Sequence, residues 1–222
     1  MGKVLFITAT NTGIGKTAFS YLLCKSLKER GLKVGYWKPV ETGCDPLPQD
    51  AKLLSNLLNQ PLSETVTYTY RYPLAPYVAQ RYENKPLKIS LLKKTFEVLK
   101  KKYDLLVVEG AGGLAVPLKK NYTYADFAKE LNLPTLIVSD ARLGTINDSF
   151  LTAFYGRSKG LNLLGFVFNR FTGKDMSERD NPQVVEEMTN LPVLVKIPFL
   201  KGLDDYRLSP SEVESVLNRL GL

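Results

Sequence analysis

The sequence predicts an α/β fold: a parallel, or mostly parallel, β-sheet flanked by helices in a single domain of residues 1–222. Three observations predict it. Short apolar runs alternate with helical patterns along the whole chain, the signature of a parallel sheet with right-handed crossovers. The first run, Val4-Leu5-Phe6-Ile7, passes through a small-residue loop ending in Gly15-Lys16-Thr17 and straight into a helical pattern. The 222 residues are 44% hydrophobic, enough interior to cover a sheet on both faces.

The elements follow in order. Lys3–Thr8 is the first strand and Thr17–Arg30 the first helix, closed by Gly31. Lys33–Lys38 is a second strand, stopped by Pro39, which has no N–H to offer a ladder. In Asp50–Asn59, Leu53, Leu54, Leu57 and Leu58 recur on one face at helical spacing. Pro61–Pro86, rich in Tyr and Pro, reads as irregular. Ser90 is the N-cap of an amphipathic helix through Lys102. Leu105–Glu109 is a buried strand ending in a carboxylate, followed by a second small-residue loop, Gly110-Ala111-Gly112-Gly113. Thr123 and Asp126 make a capping-box start to a helix through Leu131. Pro134–Ser139 is a strand, and Gly144 precedes a helix through Ser158. Leu163–Phe168 is a strand leading to Asn169. Asn181–Asn190 is a short helix, Val193–Ile197 the last strand, and Ser209–Leu220 the terminal helix. No internal repeat or domain linker interrupts the series.

Composition narrows the chemistry. Histidine is absent, which removes Ser–His triads, His-ligated zinc and any imidazole base. Two cysteines, Cys24 and Cys44, are too few for a metal cage. Cys24 falls within a predicted helix as a core residue, and a reduced compartment is the default, with Cys24–Cys44 pairing left open. The net charge is +8. The lysines are scattered, so a solvated helix face accounts for Lys93-Lys94 and Lys100-Lys101-Lys102, and no nucleic-acid partner is expected. The chain runs straight into a core strand, without a signal peptide or a membrane-spanning stretch, and the expected location is the cytoplasm.

In sheets of this kind ligands collect at the carboxyl ends of the strands. Backbone N–H groups of Thr12-Gly13-Ile14-Gly15 and the helix behind them suit phosphate oxygens. Lys16 would reach the terminal phosphates, and the Thr17 hydroxyl would ligate Mg²⁺. The general motif places Gly where this chain has Thr10. On the same rim lie Lys38, Glu109, Asp140 and Asn169. Glu109 is the better metal carboxylate, because Asp104 begins its strand on the opposite rim and solvates a turn. Asp50 is either a second metal carboxylate or an acid favoured by its helix dipole. Lys38 is either a ligand-facing lysine or one that snorkels to solvent.

Four blocks, Thr10–Thr17, Lys38-Pro39-Val40-Glu41-Thr42-Gly43, Val108–Gly113 and Leu143-Gly144-Thr145-Ile146-Asn147, resemble the signature blocks of dethiobiotin synthetases in order and spacing. The resemblance runs from about Lys3 to Leu200. It implies a P-loop NTPase-like fold and a loop of the form Gly-Thr-Asp-Thr-x-x-Gly-Lys-Thr, which explains Thr10. This chain departs from it with Ala9, Asn11 and Gly13. The family closes a ureido ring on 7,8-diaminopelargonate with CO₂ and ATP, giving dethiobiotin, ADP and phosphate. By its pattern Thr12, Lys16 and Lys38 surround the carbamate and Thr42 meets the substrate. Thr17, Asp50 and Glu109 hold Mg²⁺. Ile14, Gly15, Gly110, Ala111 and Gly112 belong to the nucleotide side, with Asn169, Arg170, Pro198, Phe199 and Leu200 towards adenine. Gly144, Thr145, Ile146 and Asn147 open a helix whose N–H groups receive the pelargonate carboxylate. In the family that site belongs to the neighbouring subunit of a homodimer, although the same residues also read as a plain helix start.

Two other readings share the loop. A partition- or positioning-type ATPase usually carries a lysine where this chain has Asn11. A small-molecule kinase would need an arginine-bearing lid, for which Thr67–Tyr82, with Arg71 and Arg81, is the available segment.

Overall fold

β1 (Lys3–Ala9) is central because both of its faces are apolar. Leu5, Ile7 and Ala9 enter one core layer and Val4 and Phe6 the other. This is a computed structural model, and it describes residues 2–222. Two strands flank β1 in parallel: β4 (Leu105–Glu109), in register from Lys3–Leu105 to Ile7–Glu109, and β7 (Thr135–Asp140). β2 (Val34–Thr42) and β3 (Val66–Tyr70) extend the β4 side, and β8 (Leu163–Phe171) and β9 (Val193–Pro198) extend the β7 side. The seven strands, all parallel, run β3-β2-β4-β1-β7-β8-β9.

Helices cover both faces. On one, α1 (Lys16–Glu29) and the C-terminal helix Pro210–Leu220 bury Phe19, Leu23, Leu27, Val213 and Val216 against Leu5 and Ile7. The terminal helix carries a full capping box, Ser209 with Glu212. On the other face, α5 (Ile89–Lys102) and α6 (Tyr124–Glu130) bury Leu92, Phe96, Leu99 and Phe127 against Phe6, Trp37 and Val108. α2 (Gln49–Leu58), the short helices α3 (Leu62–Thr65) and α4 (Pro76–Tyr82), α7 (Thr145–Ser158) and α8 (Ser177–Thr189) complete the flanks. None of the described helices is long and apolar enough to cross a membrane.

Several expectations are corrected. β2 continues through Pro39 to Thr42. Its register with β4 ends at Trp37–Val108 and with β3 skips residue 39, so the missing N–H costs no ladder bond. Pro61–Pro86 is not irregular: Val66-Thr67-Tyr68-Thr69-Tyr70 is an edge strand, β-branched and aromatic throughout, with Tyr68 and Tyr70 buried. Ser90 is not an N-cap. α5 starts at Ile89, with Lys88 before it bonded through its N–H to the Tyr68 hydroxyl at 3.0 Å, and Ser90 lies inside the first turn. α8 begins at Ser177, four residues before Asn181, with the Glu178 carboxylate gathering the Thr172 and Gly173 amides behind it. β8 does not end at Asn169. It runs on to Phe171, which pairs with Pro198 across a register shift at Arg170, whose φ is +67°. A small antiparallel pair, β5 (Pro117–Lys119) and β6 (Tyr122–Thr123), leads into the Thr123–Asp126 capping box of α6. Cys24 and Cys44 are both free and buried.

Candidate active site

β1 delivers the chain to the loop, and Gly15, at φ +103°, turns it into α1. No side chain caps α1, so its first N–H groups stay free for an anion. A side chain at Gly15 fails twice over: the backbone is left-handed, and a Cβ would lie 2.0 Å from Asn169 Nδ2. That same amide nitrogen donates to the Ile14 carbonyl at 2.9 Å. Arg170 Nη2 donates to the Gly13 carbonyl at 2.5 Å, and its Nη1 lies 3.4 Å from Asp140 Oδ2. The end of β8 therefore braces the loop from behind.

Beside the loop sits a compact charge cluster. Glu109, at the end of β4, is fully buried. Its Oε1 accepts from Thr17 Oγ1 at 2.9 Å and from Lys38 Nζ at 3.0 Å, and its Oε2 accepts from Ser20 Oγ at 2.7 Å. Lys38 Nζ also donates to Asp50 Oδ2. Burial opposes the charge on Lys38, but Glu109, Asp50 and Glu41 outweigh it and hold the ammonium well above the ordinary lysine pKa. Lys38 is therefore not a snorkelling lysine: it is buried and paired with two acids. Asp50 lies in the first turn of α2, and its carboxylate turns to Lys38 instead of its own helix. Glu41 takes the α2 amides in its place: Oε1 accepts from Asp50 N at 2.9 Å and Oε2 from Ala51 N at 3.0 Å.

Lys16 approaches the cluster from the other side, with Nζ 3.4 Å from the Asn11 carbonyl. Burial lowers its pKa to about 8; Glu109 and Asp50 act against that, and Lys38 adds to it. An ammonium that burial strips of hydration gains from any anion placed beside it.

A cavity of about 450 Å³ opens over these groups. Thr12, Gly13, Gly15, Lys16 and Thr17 form its floor, and Lys38, Thr42, Asp50 and Glu109 one side. Ala111 and Gly112 of the second small-residue loop contribute as well. Pro73, Leu74, Ala75, Pro76 and Val116 make an apolar wall, so the segment between Pro61 and Pro86 supplies β3 and one face of the site.

Other candidates lie elsewhere. Gly110 is packed beneath the site, its N–H bonded to the Ile7 carbonyl at 3.0 Å. Ile14 is buried in the core layer next to α1. Pro198, Phe199 and Leu200 sit where β9 ends, without lining the cavity. Gly144, Thr145, Ile146 and Asn147 form the start of α7 and also do not line it. Asp104 accepts the Lys33 amide at 2.9 Å on the opposite rim, as expected. Sequence reasoning missed Ser20 and Glu41. Ser20 lies three positions after Thr17, on the same face of α1, and that spacing was a usable signal. Glu41 offered none beyond being a carboxylate near a strand end.

Comparison with known proteins bears on this geometry. The family model for an AAA domain matches residues 3–207. The ATP-dependent dethiobiotin synthetase of Aquifex aeolicus is 49% identical over 215 residues, covering 92% of this chain and 97% of that protein. The chain belongs to the ATP-dependent dethiobiotin synthetase family. A second member, from Brachyspira hyodysenteriae, is 40% identical and covers 92% of this chain and 96% of its own length. Among solved structures, the MinD cell division protein of Aquifex aeolicus superposes with a TM-score of 0.61 at 16% identity, covering 100% of this chain and 98% of that one. At that identity the likeness concerns the fold alone. A dethiobiotin synthetase built on this sheet is what the four sequence blocks implied.

Proposed function

We propose that this chain closes the ureido ring of dethiobiotin from 7,8-diaminopelargonate, CO₂ and ATP, acting as one domain over residues 1–222. The observation that carries the reading is Lys38, a buried ammonium set between Glu109 and Asp50 in the cavity that the Gly15-Lys16-Thr17 loop floors. One substrate amine adds to CO₂ and loses a proton, giving a carbamate. A carbamate oxygen then takes the γ-phosphoryl group from ATP and ADP leaves. The second amine attacks the carbamate carbon, the ring closes and phosphate departs. Every intermediate is anionic at the reacting end, so the site must supply fixed positive charge and N–H donors more than a proton relay. Lys16 and Lys38 supply the charge, Thr12 bonds the carbamate and Thr42 holds its neighbouring amine. The absence of histidine from the sequence costs this chemistry nothing.

The donor set also suits Mg²⁺. Asp50 and Glu109 share the Lys38 ammonium and Thr17 Oγ1 bonds Glu109; all three offer hard oxygens, and two carboxylates leave room for nucleotide oxygens and water. When bound, the ion would neutralise charge that develops on the phosphates. On the nucleotide side, Asn169 keeps its Oδ1 and a second N–H for adenine while bracing Ile14, and Arg170 and Pro198–Leu200 border the same end of the sheet. The reading is tested by supplying ATP, Mg²⁺, bicarbonate and diaminopelargonate and following the product by mass. A ring-closed product is expected; phosphate release without it, or ATP turnover that needs DNA instead, overturns the assignment.

The pelargonate carboxylate is the remaining group, and Gly144–Asn147 of a neighbouring subunit would receive it. The support is the surface beside that helix start, where Leu143, Leu151 and Phe154 are 75%, 53% and 63% exposed. A Leu151→Asp/Phe154→Asp variant is expected to sediment as a monomer. Its KM for diaminopelargonate should rise tenfold or more while ADP affinity is kept. A wild-type chain that is monomeric and fully active refutes the homodimer.

A further inference from the structure

We infer that Glu41 is a positioning residue for Asp50, holding the start of α2 so that the Asp50 carboxylate meets the metal-nucleotide side of the cavity. The inference rests on the reading of Asp50 as a metal ligand. α2 begins after Pro48, whose side chain offers no capping oxygen. A helix start leaves N–H groups unpaired, and a capping oxygen usually comes from the residue just before the helix, serving the second or third helical amide. Here it comes from another element. Glu41, 5% exposed at the end of β2, accepts from both the second and third helical residues, Asp50 and Ala51, at 2.9 and 3.0 Å. β2 thus grips Asp50 at both ends: Glu41 takes its amide and Lys38 its carboxylate. The turn before it, Asp45, Pro46 and Leu47, is exposed. A carboxylate is also the group that fits here. It accepts two N–H donors at once, whereas a glutamine must turn its own N–H₂ towards one of them.

Two measurements on nucleotide-bound protein test this. Amide hydrogen exchange reads the Asp50 and Ala51 N–H groups, and electron paramagnetic resonance reads Mn²⁺ binding in the presence of ADP. Glu41→Gln is expected to speed exchange at these two amides and weaken Mn²⁺ binding, each on the order of tenfold, the scale of losing a hydrogen bond to a charged group. ADP affinity without metal should stay unchanged. Glu41→Asp, which keeps the charge but reaches less far, should fall between. In an Asp50→Asn background the Glu41→Gln effect on Mn²⁺ should vanish, since both act through one ligand. Faster exchange with wild-type Mn²⁺ affinity makes Glu41 a plain structural cap and overturns the inference, as does an effect that persists in Asp50→Asn. Should Asp50→Asn itself bind Mn²⁺ like wild type, the ligand reading of Asp50 falls and takes the inference with it. That failure is separable, because it shows in a variant whose Glu41 is intact.

Discussion

Lys38→Ala is expected to lower turnover by about a hundred- to a thousandfold, near 3 kcal/mol, while leaving the affinity for Mg-ATP within a few-fold. The reason is where the charge acts. The Lys38 ammonium lies between two acids at the edge of the cavity, and the anionic carbamate is the group that would meet it once Mg²⁺ takes up those acids. Single-turnover kinetics and calorimetric nucleotide binding check the split. Equal losses in both would make Lys38 a nucleotide-binding residue. The structure adds a second expectation. With the ammonium gone, Glu109 remains fully buried with only the hydroxyls of Thr17 and Ser20 as partners. Removing one member of a buried pair typically costs about 3–5 kcal/mol. The metal-free variant should therefore melt well below wild type, and Mg²⁺ should recover part of the difference. A variant as stable as wild type without metal would show that Glu109 does not depend on Lys38.

Glu109→Gln is the second large effect. One carboxylate serves Thr17, Lys38 and Ser20, three donors from two elements. Glutamine fits the space, but only its carbonyl oxygen accepts. If that oxygen faces Thr17 and Lys38, the amide nitrogen faces Ser20, whose hydroxyl can accept in return. The fold should survive, and the charge is what is lost. Activity should fall by more than about a hundredfold, and the Mg²⁺ concentration for half-maximal rate should rise by more than about a hundredfold, beyond the roughly 10–100-fold that loss of a supporting residue produces. Mg²⁺ titration of the steady-state rate, alongside a melting curve, separates the two components. A wild-type Mg²⁺ dependence with reduced kcat would remove Glu109 from the metal set.

The legible part of the site was the part carried by contiguous residues. Gly15-Lys16-Thr17 lies between an apolar strand and a helix, and a loop in that setting has few other uses. Glu109 and Lys38 were legible because each closes an apolar run, and the ends of parallel strands share one rim. Val66–Tyr70 was hidden by the prolines and tyrosines on either side, although its own residues favour a strand. Ser90 looks like a cap in the sequence, but the helix starts two residues earlier, after a Lys88 whose N–H is held by the Tyr68 hydroxyl twenty positions away.

The alternation of strands and helices, the phosphate loop and the family are readable along the chain, because these depend on local periodicity and on adjacent residues. Only the folded chain shows that Lys38 is paired with two carboxylates, that Asn169 and Arg170 brace the loop, and that Glu41, a strand residue, caps a helix. The Lys38–Glu109 pair follows from the sheet order β3-β2-β4-β1-β7-β8-β9, which sets the end of β2 beside the end of β4. A buried charge must find its partner in space, and spacing along the chain does not say which partner that will be.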